Sequence, residues 1–291
     1  MPKTNQNLRT SKERKNDLFF TRFEDIENEV KHYRPYLKGK IIYCNTDEPG
    51  KSNFYHFFTD NFKELGLKKL ICTHYSPITP PTLFEPNPIS KQAYKSILTA
   101  KGERIERLKG DGDFRSTECT ELLAESDIVI TNPPFSLFRE YVSQLIDNRK
   151  DYLIIGNLNA VTYNCFFPVV MRRECWFGKT RPKTFIRPDG TTTHFKNIRW
   201  FTNIGEKPNY SPLPLTAIYD AQNYPFYDEF EAIEVNRLKL IPSDFNGIMG
   251  VPITLLEKWD PKQFEIIGKT SHRGSVNGKS KYRRVLIRRI C

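Results

Sequence analysis

Two consecutive prolines directly follow a short apolar run near the middle of the chain, and they restrict the fold more than any other feature. Residues 127–131 read DIVIT, residues 132–135 read NPPF, and a segment with helical spacing follows at once. Proline fixes φ near about −65° and favours extended geometry in the residue before it, so the loop is rigid. Rigid loops at the carboxyl ends of strands form binding sites in open α/β sheets. The sequence therefore predicts a strand, a candidate binding loop and a helix in this order.

Similar strand and helix patterns alternate over the first half of the chain. Short apolar runs predict strands, and helical spacing predicts helices, at 40–45 (strand), 54–65 (helix), 69–74 (strand), 118–125 (helix) and 151–157 (strand). Alternating units of this kind form a parallel sheet that helices cover on both faces. The predicted fold class is α/β.

Two local signals refine this pattern near the amino terminus and at residues 100–102. Thr21 and Glu24 have the spacing of a capping box, which predicts a helix beginning near Thr21. Residues 100–102 (AKG) lie between two alternating segments and predict a hairpin.

The pattern changes after Cys175. Residues 183–187, a Pro-Asp-Gly turn at 188–190 and the segment 194–204 (HFKNIRWFTNI) predict hairpins in an insertion on the sheet. The apolar runs that follow predict further strands and helices that complete the core. The basic side chains of the last run form either a phosphate-binding face or a solvated edge strand: Lys279, Lys281, Arg283, Arg284, Arg288 and Arg289.

The charge balance favours a polyanionic partner. The 291 residues include 45 Lys and Arg against 34 Asp and Glu, so the formal net charge is +11. Nucleic acid is the first candidate.

No apolar run is long enough to span a bilayer, and residues 1–16 are basic and polar without a signal-peptide core. We therefore expect a cytoplasmic protein with a disordered basic arm and no membrane partner. The six cysteines have no metal-site or disulfide spacing, so we expect no metal.

The NPPF peptide suits methylation of an exocyclic amine. The oxygen of the Asn132 side chain and the adjacent backbone carbonyl can both accept hydrogen bonds from one NH₂ group. This geometry draws the nitrogen lone pair out of conjugation with the ring. The face of Phe135 can stack on a base that has left the helix. The alternative interpretation is that NPPF is only a stiff turn between a strand and a helix.

Together with other segments, NPPF identifies a resemblance to a known family. The chain resembles the EcoRI-type adenine-specific DNA methyltransferases from Asp17 to the carboxyl terminus. The segments that carry the resemblance, besides NPPF, are LFFT, YCNTDEP, GDGDF, RWFTNI and MGVPITLLEKWDPKQFEIIG. The resemblance implies a Rossmann-like sheet that binds S-adenosylmethionine and an insertion that recognises double-stranded DNA. It also implies methyl transfer to N6 of a flipped adenine.

The resemblance also implies roles for individual residues. Asn132 and Pro133 would hold the target amine, Pro134 would shape the loop, and Phe135 would stack on the flipped base. The residues expected to bind the methyl donor, in addition to Asn132, are Phe19, Thr21, Asp47, Pro49, Tyr75, Asp113 and Phe114. The acidic residue usual after the second strand is absent, because Thr73-His74-Tyr75 stands there. The five histidines form no cluster, and we assign no role to them.

The predicted organisation has three parts. Residues 1–16 form the basic arm, 17–174 the catalytic and donor-binding α/β core, and 175–291 a DNA-recognition segment with carboxyl-terminal elements that complete the core. We expect a monomer, and a cognate restriction endonuclease is a candidate partner in the same system. Three alternatives remain open: a cytosine-N4 methyltransferase, an RNA amino-methyltransferase, and an inactive DNA-binding protein on the same fold.

Overall fold

A computed structural model describes residues 19–76, 93–270 and 274–290 of the chain. The predicted arm, 1–16, lies outside these ranges. By its contacts the chain divides into two compact units. The first unit comprises Met1–Asn157 and Phe177–Glu206, and the second comprises Leu158–Trp176 and Lys207–Cys291. The contacts thus group 177–206 with the α/β core, although the predicted functional division placed this segment with DNA recognition.

The first unit is built on strands and helices that alternate as predicted over its first half. Its helices are α1 (Phe23–Val30), α2 (Arg34–Leu37), α3 (Asn53–Asp60), α4 (Thr117–Glu125) and α5 (Phe138–Asp147), with a 3₁₀ turn at Phe135–Leu137. The strands up to Phe177 are β1 (Phe20–Thr21), β2 (Ile41–Cys44), β3 (Lys69–Thr73), β4 (Tyr94–Thr99), β5 (Gly102–Arg107), β6 (Ile128–Thr131), β7 (Asp151–Asn157) and β8 (Trp176–Phe177). The remaining strands are β9 (Thr184–Ile186), β10 (Thr192–His194) and β11 (Ile198–Thr202).

Eight of these strands form one mixed sheet with the order β5-β4-β3-β2-β6-β7-β11-β8. The central strands β3, β2, β6 and β7 pair in parallel, as the α/β prediction requires. The predicted hairpin at 100–102 is confirmed, and it adds β4 and β5 antiparallel at one side. At the other side β11 pairs antiparallel with β7. The α/β prediction is confirmed, but only the centre of the sheet is parallel.

The central strands β2 and β6 are buried along their whole length. All four residues of β2 (IIYC) and of β6 (IVIT) are buried. Strands covered on both faces carry continuous apolar runs in place of alternation, which is why both were visible in the sequence. Ser52 and Ser116 cap the helices α3 and α4, since their hydroxyls accept from Tyr55 N and Cys119 N.

The capping box predicted at Thr21 is wrong. Helix α1 begins at Phe23, its N-cap is Arg22, and that residue makes no side-chain capping bond. Thr21 instead belongs to β1, which pairs antiparallel with β9 so that Thr21 lies opposite Phe185. A three-stranded sheet β1-β9-β10 results. The Thr-x-x-Glu spacing alone did not distinguish a cap from a short strand that precedes a helix.

The segment RWFTNI was predicted within an insertion on the sheet, and part of it is a strand of the sheet itself. All five residues of β11 are buried, and Trp200 is completely inaccessible. A hairpin around the predicted turn at 188–190 is confirmed as β9 and β10, but its second strand ends at His194, where the predicted segment 194–204 begins. Only this hairpin, with β1, lies outside the eight-stranded sheet among the described strands of the first unit.

The second unit has a sheet of its own. Its strands are β12 (Ile233–Glu234), β13 (Met249–Pro252), β14 (Phe264–Lys269), β15 (Ser275–Val276), β16 (Lys279–Ser280) and β17 (Arg284–Arg289). Its helical elements are α6 (Phe167–Met171) and the 3₁₀ turns Leu158–Thr162, Leu238–Leu240 and Ile253–Glu257. Four strands form a sheet in the order β12-β13-β17-β14, and β15 pairs with β16. The carboxyl-terminal strands therefore form a sheet separate from the eight-stranded sheet, and the prediction that they complete the core stays a prediction.

The last strand, β17, is an inner strand, so the edge-strand alternative is wrong. It pairs antiparallel with β13 on one side and β14 on the other. The guanidinium of Arg284 donates to Glu234 at 2.6 Å, and the Arg284 side chain is 11% exposed. The hydroxyl of Tyr227 also donates to Glu234. Arg284 therefore holds a buried carboxylate and is not available as a phosphate contact.

No helix in the described parts of the chain is long and apolar enough to cross a membrane. Within the same ranges, no group of three or more His, Cys, Asp or Glu side chains could hold a metal ion.

Candidate active site

The strand order brings three loops together at one edge of the central sheet. Because β3, β2 and β6 are parallel neighbours, their carboxyl ends meet there. His74 follows β3, Asn45 follows β2, and Asn132 follows β6. This is the edge at which ligands bind in open α/β sheets.

A cavity of about 230 Å³ opens at this edge, entirely within the first unit. It is lined by Phe19, Phe20, Thr21, Asn45, Thr46, Asp47, Glu48, Ser52, Asn53, Phe54, His74, Tyr75, Gly112, Asp113, Phe114, Asn132, Pro133, Pro134 and Leu137. Nine predicted site residues therefore share one cavity: Phe19, Thr21, Asp47, Tyr75, Asp113, Phe114, Asn132, Pro133 and Pro134. Pro49 and Phe135 are not part of the lining in the described ranges.

Asn132 has one amide atom engaged and one free. Its Nδ2 donates to the carbonyl oxygen of Phe19 at 2.6 Å. Its Oδ1 is buried and has no hydrogen-bond partner among the described residues. The Asn132 carbonyl oxygen accepts from the Thr46 hydroxyl at 3.1 Å. A buried acceptor without a donor costs about 1–3 kcal/mol, so Oδ1 is an acceptor that a ligand can satisfy.

Asp47 also lines the cavity, and it contacts Thr131, the residue before Asn132. Its carboxylate accepts from the Thr131 hydroxyl at 2.5 Å, and Thr131 is in turn 2.5 Å from the Thr46 hydroxyl. Burial raises the pKa of Asp47 to about 7, although hydrogen bonds from Thr131 and Ser52 act in the opposite direction. A buried carboxyl of this kind is best stabilised in its ionised form by a cationic ligand group.

Strand β1 forms another wall of the cavity. The Asn53 side chain donates to the carbonyl oxygen of Thr21 at 2.7 Å and fixes this strand against the start of α3. The hydroxyl of Thr21 is buried, with no hydrogen-bond partner in the part of the chain that the structure describes. The wall therefore presents a second polar atom that a ligand can satisfy.

The loop before α4 closes the side of the cavity near β3. Gly112 has φ of +76°, and a Cβ at this position would lie 2.1 Å from the carbonyl oxygen of His74. Only glycine fits so close an approach. Phe114 is buried with its ring edge-on to Tyr141 at 5.1 Å. The Asp113 carboxylate binds Arg115 in a bidentate pair at 2.7–2.9 Å.

Phe135 is partly buried and packs against the hydrophobic core. Its ring stacks on Phe19 with centroids 6.3 Å apart, and Phe19 in turn meets Phe195 edge-on at 4.9 Å. Pro49 contributes its carbonyl oxygen to a hydrogen bond from the Tyr94 hydroxyl at 3.1 Å. The roles predicted for both residues stay predictions.

Several residues of the cavity were not predicted from the sequence. Thr46 and Thr131 link Asp47 to the backbone of Asn132, and Asn53 fixes β1. His74 also lines the cavity. The only sequence signal for Thr46, Thr131 and His74 was their position at a strand end, and Asn53 had none.

The sheet, the proline-stiffened Asn loop and the cavity across neighbouring strand ends are those of an α/β methyltransferase that acts on an amine. The family described as adenine-specific methyltransferase EcoRI matches residues 7–290. The chain therefore belongs to this family and is a site-specific adenine DNA methyltransferase.

Curated relatives match over nearly the whole length of the chain. The Type II methyltransferase M.EcoRI of Escherichia coli is 40% identical, with 98% of this chain and 97% of the relative covered. M.MgeORF184P of Mycoplasma genitalium is 37% identical, with 96% and 97% covered. M.MpnI of Mycoplasma pneumoniae is 35% identical, with 96% of both chains covered. No solved structure matches the chain significantly.

Proposed function

We propose that this chain transfers a methyl group from S-adenosylmethionine to N6 of an adenine that has left the DNA duplex. The buried, unsatisfied Oδ1 of Asn132 carries the proposal. Its Nδ2 is held by the Phe19 carbonyl, so the amide presents Oδ1 as an acceptor. An exocyclic NH₂ group is the donor that this acceptor and the adjacent backbone carbonyl suit.

The cavity residues fit the chemistry of the methyl donor. Asp47 would bind its ammonium group, because the buried carboxyl gains from a cationic partner. The unsatisfied hydroxyl of Thr21 offers a hydrogen bond to its carboxylate. The apolar surface of Phe114 suits its adenine ring. When bound, the donor supplies a methyl group on a positively charged sulfur.

The catalytic loop would activate the target by hydrogen bonding. One N–H of the adenine amine donates to Asn132 Oδ1 and the other to the Pro133 carbonyl oxygen, so the lone pair of N6 turns out of the ring plane. The bond from N6 to the methyl carbon would form as the carbon–sulfur bond of the donor breaks, which would leave S-adenosylhomocysteine, and the methylated amine would release one proton to solvent. Pro133 and Pro134 keep the loop rigid, so little reorganisation is needed during transfer. Phe135 would stack on the extruded base.

A labelled methyl-transfer assay tests the proposal. The protein, S-adenosylmethionine carrying a labelled methyl group, and duplex DNA or RNA are incubated, and the modified base is identified by hydrolysis and mass analysis. N6-methyladenine in DNA is the expected product. N4-methylcytosine, or label in RNA alone, would support the corresponding alternative. No label in either polymer would support a DNA-binding protein without activity.

Four further properties were predicted from the sequence. DNA contact by residues 175–291, a monomeric state, a cytoplasmic location and a cognate restriction endonuclease stay predictions. Exposed basic residues in the β9–β10 hairpin and just after it, such as Arg187 and Lys196, support DNA contact by part of this segment.

A further inference from the structure

His74 has a ring nitrogen that nothing in the described chain satisfies. The residue directly follows β3 and lines the cavity. Its Nδ1 is buried and has no hydrogen-bond partner among the described residues. Neither the predicted site nor the methyl-transfer chemistry uses this side chain.

The surroundings hold the imidazole in place. Its ring packs edge-on against Tyr94 with centroids 4.7 Å apart. Its backbone carbonyl lies against Gly112, where any side chain would collide. Ser76 N also donates to the Asp111 carbonyl oxygen at 2.8 Å, which joins the two loops. The position of Nδ1 is therefore set before a ligand binds.

The strand order indicates which part of the methyl donor faces His74; this step rests on the proposed function. The strands lie in the order β3, β2, β6, so His74, Asp47 and Asn132 follow one another along the edge. The methyl group must reach Asn132, and the ammonium group is assigned to Asp47. The nucleoside half of the donor then extends toward β3 and His74.

The chemistry of the imidazole favours a hydroxyl as its partner. Burial is the main cause that lowers the pKa of His74; Lys51 acts in the same direction, whereas Glu48 and a hydrogen bond to the Tyr94 backbone raise it. Because the net effect is a pKa below its ordinary value, the ring is neutral at neutral pH. In a neutral ring, Nδ1 either accepts or donates, depending on the tautomer. A hydroxyl satisfies both cases because it donates and accepts. The sugar of a nucleoside carries two such groups.

We propose that Nδ1 of His74 hydrogen-bonds a ribose hydroxyl of the methyl donor and so selects a ribonucleoside. His74 is then a specificity-determining residue for the donor.

The proposal is tested by deleting the ligand hydroxyl and the ring nitrogen separately. Calorimetry would measure the affinities of S-adenosylhomocysteine and its 2′-deoxy and 3′-deoxy analogues for the wild type and for His74→Phe. Phenylalanine retains the ring against Tyr94 and removes both nitrogens. We expect the wild type to lose about tenfold in affinity when one particular hydroxyl is removed. His74→Phe should bind the parent compound about tenfold more weakly and show no further loss on removal of that hydroxyl.

Two further variants make the result specific. His32→Asn changes an exposed histidine outside the cavity and should match the wild type with all three ligands. His74→Gln restores polar atoms at similar length and should recover part of the discrimination that His74→Phe loses. If His74→Phe lowers the unfolding temperature, the comparison of His74→Gln with the wild type decides the question.

The outcomes separate the two proposals. Equal losses for all three ligands in the His74 variants, or no loss in either, would overturn the role of His74 and leave the proposed function standing. Failure of wild-type protein to bind S-adenosylhomocysteine, S-adenosylmethionine or the deoxy analogues would overturn the donor assignment and the role of His74 together.

Discussion

Asn132 shows how one side chain can be oriented before its substrate arrives. An amide can present either its oxygen or its nitrogen to a ligand, and the two atoms have similar size. Here the Phe19 carbonyl accepts from Nδ2, and Oδ1 is buried with no hydrogen-bond partner among the described residues. In the proposed function, an amine that binds there would recover the cost of this acceptor.

Replacing Asn132 with alanine should abolish most of the transfer activity while sparing donor affinity. Loss of one transition-state hydrogen bond of this type costs about 2.7–4 kcal/mol, or about 10²–10³ in kcat. Single-turnover rates with labelled donor measure the transfer activity, and calorimetry measures the donor affinity. Asn53→Ala, which removes an amide that contacts β1 and not the target, controls for loosening of the wall. Near-normal turnover of Asn132→Ala would contradict the assigned role.

Donor affinity should depend on pH through Asp47. In the proposed role Asp47 must be ionised to bind the ammonium group of the donor, and burial raises the pKa of this carboxyl to about 7 in the free protein. Below that pH, binding must expel a proton, so affinity should fall by up to about tenfold per pH unit as pH drops from 7 toward 5. Above pH 7 this dependence should disappear.

Calorimetry at several pH values, in buffers of different ionisation enthalpy, measures both the affinity and the proton released. Asp47→Asn should bind the donor more weakly and show no such dependence. The same pKa shift predicts that the unliganded protein loses stability as pH rises from about 4 to 7, because folding holds a proton on Asp47 over that range. A wild-type affinity that stays constant from pH 5 to 8 would remove Asp47 from the ammonium site.

At the scale of single elements, β17 offers a test of two arginines on one strand. Arg284 is paired with the buried Glu234, whereas Arg288 lies about half exposed, 3.7 Å from the exposed Glu265. Arg284→Ala should lower the free energy of unfolding by about 3–5 kcal/mol, because it leaves a buried carboxylate unpaired. Arg288→Ala should change it by less than about 0.5 kcal/mol. Urea unfolding measures the free energy of unfolding of both variants. Equally small changes in the two variants would show that the buried pair of Arg284 and Glu234 contributes little to stability.

The elements that the sequence predicted well share a physical origin. Strands β2, β3, β6 and β7 lie buried in the sheet, so their apolar runs are continuous and their bounds were predicted to within a residue or two. Strand β11 is equally buried, but it follows a hairpin and contains Arg199. Its local pattern could not show that it pairs with β7.

The site was predictable where chemistry is local in sequence. Asn132 stands out because prolines follow it, and Asp47 because it follows a strand. The link from Asp47 through Thr131 joins residues 84 positions apart, and that from Asn132 to Phe19 joins residues 113 positions apart. Such contacts depend on the order of strands in the sheet, which the spacing of apolar residues along the sequence does not reveal. The position of His74 on the cavity wall was missed for the same reason.

At the scale of the whole molecule, the net charge of +11 predicts salt-sensitive DNA binding. Each phosphate that the protein neutralises should add about −0.9 to the slope of log affinity against log salt. Removing residues 1–16 should make the slope shallower if the arm contacts phosphates. Fluorescence anisotropy over a salt series measures this slope. The same slope with and without the arm would show that the phosphate contacts lie elsewhere in the protein. Arg284 is not a candidate for such a contact because Glu234 binds it.

Extrusion of the target base is a further property of the complete complex. The cavity lies at the carboxyl ends of the central strands, and N6 of an adenine stacked inside a duplex cannot enter it. Extrusion of the base costs only a few kcal/mol. With 2-aminopurine at the target position, we expect fluorescence to rise when the protein and S-adenosylhomocysteine bind. Phe135→Ala should give a larger rise, because stacking no longer quenches the probe, and slower methylation. A probe that stays quenched in both proteins while methylation proceeds normally would rule out extrusion.

The link between Asp47 and the catalytic loop has a consequence for the supply of protons. Three contacts connect Asp47, Thr131, Thr46 and the Asn132 carbonyl oxygen, but the two hydroxyls carry only two protons. When Asp47 is ionised, Thr131 must point toward it, and Thr46 cannot serve both Thr131 and Asn132. When Asp47 is protonated, all three contacts hold a proton, each pointing toward Asn132. If a bound ammonium group ionises Asp47, the contact between Asp47 and Thr131 therefore reverses and one contact is left without a proton. The backbone carbonyl of Asn132 then competes with Thr131 for the Thr46 hydroxyl.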